Sequence, residues 1–123
     1  RRRYDVLIDD LYVTGREDVW RPRPPDGDLL ALYRRRLSPG GLVVVNMIIG
    51  PGHRRVQSTV RREMGQAFSE VRSVRSAEGM NEVLVGGDGV LPGGTLRHFG
   101  GRIQEEKDRR FWEGIRVERL RRR

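Results

Sequence analysis

The chain has no cysteine. That excludes disulfides and cysteine-ligated metals. Its two histidines, His53 and His98, lie far apart, with no partnered serine and no HExxH pattern. Ser-His-Asp catalysis and a histidine metal centre are both unsupported, so no metal is expected. No apolar run reaches the length of a membrane span, and no signal-peptide pattern is present. The default expectation is a soluble cytoplasmic protein with no membrane partner. Internal repeats are absent as well. At 123 residues the chain is one domain at most.

What is abundant is arginine. The net charge is +8, and Lys107 is the only lysine among 25 basic residues. Such a charge invites a nucleic-acid reading. However, residues 1–3 and 121–123 are all arginine and carry six of the charges, which leaves +2 inside. A single-strand binder interleaves aromatics with arginines on a sheet face, and that pattern is missing. Phe111-Trp112 falls at helical spacing and is expected to pack. A basic nucleic-acid binder is therefore the third-ranked reading, and a uniform arginine bias fits a GC-rich coding sequence.

The organising stretch is LSPGGLVVVNMIIG, residues 37–50. Three successive valines favour a strand, because branching at Cβ restricts χ1 and packs well on a pleated surface. The apolar run over 42–49 holds one polar residue, Asn46. A continuous run predicts a strand covered on both faces, with its valines nearly inaccessible. Pro39, Gly40 and Gly41 mark the end of a helix and a tight reversal into that strand.

Tyr4 to Asp10, YDVLIDD, is a second strand candidate, apolar at its centre and closed by two acids. Residues 11–27 hold Gly15, Pro22, Pro24, Pro25 and Gly27, and form a long loop with Trp20 as its anchor. Asp26 or Asp28 caps a helix carrying Leu29, Leu30, Tyr33 and Leu37 on one face. A second helix, about 53–70, shows the stripe Val56, Val60, Met64, Phe68. Two short strands follow, 71–75 and 82–85, with a hairpin turn between them. Residues 86–102 open on GGDGVLPGG, which lacks GxGxxG and GxxxxGK[ST] spacing and is expected to be a flexible connection. A helix over 103–114 and a last edge strand over 115–120 complete the chain.

This order resembles the carboxy-terminal half of a class I S-adenosylmethionine-dependent methyltransferase fold, in its spermidine synthase-like branch. The likeness rests on Tyr4-Asp5-Val6-Leu7-Ile8-Asp9-Asp10, on Leu37-Ser38-Pro39-Gly40-Gly41 and on Asn46, and covers residues 4–86. It implies an α/β, Rossmann-like mixed sheet with helices on both faces and a C-terminal antiparallel hairpin, forming part of a domain. It implies S-adenosylmethionine or its decarboxylated form as cofactor, and an amine or other methyl or aminopropyl acceptor as substrate. Asp10 takes the place of the general base or amine ligand. Asn46, Tyr12 and Trp20 fall on the substrate side, and Asp9 and Leu11 on the cofactor side. Val13 stands where the family often carries a second acid.

The glycine-rich loop and the ribose-holding acid belong to the amino-terminal half of that fold, and neither is present. The chain is thus expected to be a fragment or half-domain, completed by the missing half or by a second copy. A non-catalytic scaffold or dimerisation module of the same fold is the second-ranked reading. On a strand, adjacent Asp9 and Asp10 face opposite sides. Asp10 is then expected in a cleft near Asn46, and Asp9 capping the turn or pairing with an arginine such as Arg16.

Overall fold

The computed structural model describes residues 2–121. Seven strands and four helices follow in order: β1 (Tyr4–Asp9), β2 (Val13–Thr14), β3 (Val19–Trp20), α1 (Gly27–Arg36), β4 (Leu37–Ile48), α2 (Arg54–Ala67), β5 (Val71–Arg75), β6 (Asn81–Gly86), α3 (Gly93–Arg97), α4 (Glu106–Glu113) and β7 (Arg116–Arg119). A 3-10 turn, His98–Arg102, lies between α3 and α4. The main sheet has the strand order β1-β4-β6-β5-β7. β1 and β4 are parallel, and every other pairing is antiparallel. The fold is a small mixed α/β domain.

Local chemistry explains the first crossover. Asp26 caps α1 by accepting from the Leu29 N–H at 2.9 Å. Asp28 sits in the first turn and Arg34, Arg35 and Arg36 in the last, the order that the helix dipole favours. The chain then enters β4 directly at Leu37, so Pro39, Gly40 and Gly41, expected as a reversal ahead of the strand, lie inside it, where the pairing jumps from Tyr4–Leu37 to Val6–Leu42 and Gly40 takes φ 74°.

β4 is an interior strand next to the edge strand β1, and only one of its faces is closed. Val43, Val45 and Met47 are fully buried, packed with Leu30 of α1, with Val60 and Met64 of α2, and with Phe68, Val71 and Leu84. The alternate residues Leu42, Val44, Asn46 and Ile48 are half-buried. The expectation of a strand sealed on both faces, with all three valines inaccessible, is corrected here. α1 and α2 both lie over the same face. On the other face, Gly93 of α3 packs against Val117 of β7, far from β1. Along β1 the open face exposes Val6 by 49% and Ile8 by 71%.

Two expected loops carry structure. Residues 11–27 hold the antiparallel ribbon of β2 and β3, pairing Val13 with Trp20 and Thr14 with Val19. Residues 86–102 hold α3 and the 3-10 turn instead of a flexible connection. Their first glycines meet the β4 turn backbone to backbone: a Cβ at Gly87 would lie 2.3 Å from the Gly41 carbonyl oxygen, and one at Gly89 would lie 2.1 Å from that of Gly40.

Charged groups also sit within the covered face, the most deeply buried being Glu82. Glu82 is fully buried and joins α2 to the hairpin. It accepts from Gln57 Nε2 at 2.7 Å, from Ser73 Oγ at 2.5 Å and from Arg75 at 3.0 Å, and it pairs with Arg61. Burial pushes its carboxyl up, but the bonds from Gln57, Ser73 and Arg75 and the charge of Arg61 outweigh burial and hold it below the usual glutamate range.

Two outcomes are expected from this packing. In urea titrations, Met47→Ala should cost ~2–5 kcal/mol, the usual range for a fully buried methionine. Val44→Ala, on the half-open face, should cost only about 1 kcal/mol. The second outcome concerns acid. A carboxylate with a lowered folded pKa stabilises fully above its unfolded value, and that stabilisation disappears as pH falls through the folded value. Stability measured from neutral pH into the acid range should therefore drop more in the wild type than in Glu82→Gln. Parallel curves would show that Glu82 is not the group responsible.

Candidate functional site

The carboxyl ends of the parallel strands β1 and β4 lie side by side, with Asp9 paired to Val45. This is where ligands sit in open α/β sheets. Asp10 follows β1 directly and is exposed. Asn46 Nδ2 donates to Asp10 Oδ1 at 2.8 Å, and Asn46 Oδ1 accepts from Asn81 Nδ2 at 3.0 Å. The structure thus brings together the two residues on which the sequence reading concentrated. Among the described residues, Asp10 Oδ2 has no protein donor.

Asp9 points the other way and is buried. Its Oδ1 accepts from Arg21 at 2.9 Å and, more loosely, from the Leu11 N–H at 3.4 Å. Its Oδ2 accepts from the Tyr33 hydroxyl at 3.0 Å. The turn cap is therefore present, but the cation is Arg21, not Arg16. Burial and the hydrogen bond to Asp9 push the Tyr33 phenol up to about 12, so it stays a neutral donor.

Arg21 is the organising residue that sequence reasoning missed. Its side chain is 1% exposed. Besides Asp9 Oδ1 it donates to the backbone carbonyls of Asp9 at 3.2 Å and Asn46 at 3.0 Å. Its guanidinium lies over the Tyr12 ring, 5.1 Å from the centroid. The Tyr12 hydroxyl in turn accepts from the Ile48 N–H at 2.8 Å. Tyr12 is thereby fixed to the end of β4. The only available signal was indirect: two adjacent acids at a strand end require a cation, and the following loop is rich in arginine.

The remaining candidates are spread out. Leu11 is 55% exposed and lines a groove of about 560 Å³ with Asp9, Asp10, Arg23, Leu29 and Tyr33. Trp20 stands on β3, 52% exposed, against Gly15. His53 lies 3.7 Å from Asp18. A second cavity, about 650 Å³, opens at the amino end of β4 beside Arg3, Arg34 and Arg35. That end of a parallel strand pair is not where such sheets place their ligands. Among the described residues there is no cluster of three or more metal-ligating side chains and no helix long and apolar enough to cross a membrane. Arg1, Arg122 and Arg123 of the terminal arginine clusters lie outside the described residues.

No family model, curated protein or solved structure matches the chain.

The ion pair at the base of the site sets its stability. Arg21→Met should leave the Asp9 carboxylate buried without its cation and cost ~3–5 kcal/mol. Restoring part of that loss with the double variant Arg21→Met and Asp9→Asn, measured in the same urea titration, would confirm that the stranded charge is the cause. Equal losses in both variants would assign the cost to packing instead.

Proposed function

We propose that the chain is the acceptor-side half of a transferase of the methyltransferase or spermidine synthase-like kind. The observation that carries this reading is the Asp10–Asn46 pair at the carboxyl edge of the parallel strands β1 and β4. The strand order, with the hairpin's second strand folded in beside β4, supports the Rossmann-like resemblance. Asn46 fixes one oxygen of Asp10, and the other is placed to hold an amine's charge or accept its proton. An amine acceptor in a cytoplasmic setting is the substrate class that suits a lone exposed carboxylate.

The cofactor implied by the resemblance, S-adenosylmethionine or its decarboxylated form, does not fit the residues present. Both oxygens of Asp9 are taken by Arg21 and Tyr33. Gly87 and Gly89 pack on main chain and form no cradle. A part outside these residues would have to hold it. Calorimetry should show no micromolar binding of S-adenosylmethionine to these 123 residues. In an assembled active protein, Asp10→Asn should keep the fold and lower turnover by ~10²–10⁴-fold, as expected for loss of a positioned base. Unchanged turnover would end the enzyme reading.

A second reading, the non-catalytic scaffold or dimerisation module, is favoured by a different observation. β1 is an edge strand, and among the described residues only β4 pairs with it.

A further inference from the structure

We infer that the free edge of β1 pairs antiparallel with β1 of a second copy, in a register centred on Val6. The inference rests on the dimerisation reading and names its surface and its partner.

An unpaired edge strand is a template for another strand, and proteins usually blunt it with charge, proline or a covering segment. β1 has no proline, and its outward row is apolar at the centre. Tyr4 is 40% exposed, Val6 49% and Ile8 71%. Val6 and Ile8 share the open face of the sheet with Leu42, Val44, Val83 and Val85, which are half-buried; Tyr4 follows the same alternation along β1, beyond a shift in register that pairs it with Leu37. A strand added to this edge would extend that face and cover part of the row.

Charge complementarity identifies the occupant. Along the exposed row the chain reads Arg2, Tyr4, Val6, Ile8, Asp10, basic at one end and acidic at the other. The Arg2 guanidinium lies over the Tyr4 ring, 5.5 Å from its centroid, which places both on one side. An antiparallel pairing centred on Val6 sets Val6 against Val6, Tyr4 against Ile8 and Arg2 against Asp10. The twofold axis makes each unlike pair occur twice. A parallel pairing would set Arg2 against Arg2 and Asp10 against Asp10, and like charges opposite one another destabilise a strand pair. The same sequence therefore attracts a copy of itself in one direction and repels it in the other. Asn46 already occupies Asp10 Oδ1, so in this non-catalytic reading Arg2 of the second copy takes Oδ2, the oxygen that the transferase reading keeps for the acceptor amine.

The contact is a single short strand, so the dimer should be weak and concentration-dependent. Sedimentation of the full chain over a wide concentration range should show reversible dimers. Asp10→Arg turns two attractions into two repulsions and should weaken association by roughly tenfold or more. Arg2→Asp combined with Asp10→Arg should restore it. The absence of cysteine gives a register test without background. Val6→Cys should form a disulfide-linked dimer on mild oxidation. Ile8→Cys should not, because the two sulfurs would be separated by about 14 Å along the strands. A protein that stays monomeric at every concentration overturns both this pairing and the dimerisation reading. A dimer indifferent to the charge reversal, or one that Val6→Cys fails to link, overturns the pairing and leaves the dimerisation reading standing.

Discussion

The corner of this fold that carries the candidate site depends on one guanidinium. Arg21 reaches from the loop after β1 to the Asp9 carboxylate, the Asp9 carbonyl and the Asn46 carbonyl. It thereby adds a buried tie between the ends of two strands that are otherwise joined by their ladder and by the Asn46–Asp10 and Ile48–Tyr12 hydrogen bonds. A buried ion pair is weak evidence for net stability, because desolvation offsets much of the attraction. Its contribution here is geometric. In the loop that supplies Arg21, Leu11, Val13 and Trp20 stay exposed, so Arg21, together with Tyr12 and the buried Pro25, ties that loop to the body. Arg21 Nε is buried with no partner, an incomplete hydrogen-bond set at the centre of the arrangement.

Asp9 and Asp10 show how strand geometry separates two chemically identical groups. Alternation across a strand sends one carboxylate under the helix layer and the other onto the open face. The inward one is neutralised by Arg21 and bonded by Tyr33, and its chemistry is exhausted by holding the fold. The outward one meets only an amide. A carboxylate kept partly unsatisfied at a strand's carboxyl end is the kind of group that can serve a ligand, whereas one with every lone pair engaged is scaffolding.

Much of the architecture was legible in the sequence, for identifiable reasons. The VLID and VVV runs and the Asp26 cap each act locally, and each led to the observed element, whereas Pro39, Gly40 and Gly41, expected to precede the strand, form an irregularity inside β4. The Asp10–Asn46 contact was expected from the family resemblance, which places both residues on neighbouring strands at the substrate side. Arg21, Tyr33 and Glu82 were not. Their partners lie 12, 24 and between 7 and 25 residues away in sequence, and periodicity carries no information about which of many arginines closes on which acid. The half-open face was misread because a continuous apolar run looks the same whether its second face is covered by helices or left exposed.

The approach of Gly87 and Gly89 to the turn at Gly40 and Gly41 has a wider meaning. A stretch such as GGDGVLPGG reads as permissive, the sort of segment where substitution and insertion are usually tolerated. Here two of its positions behave like core positions, although no side chain is buried there. What fills the space is the main chain itself, and the smallest possible addition, one methyl group, has nowhere to go. Mutational tolerance in this protein thus does not follow the usual division between a demanding hydrophobic interior and an indifferent polar loop.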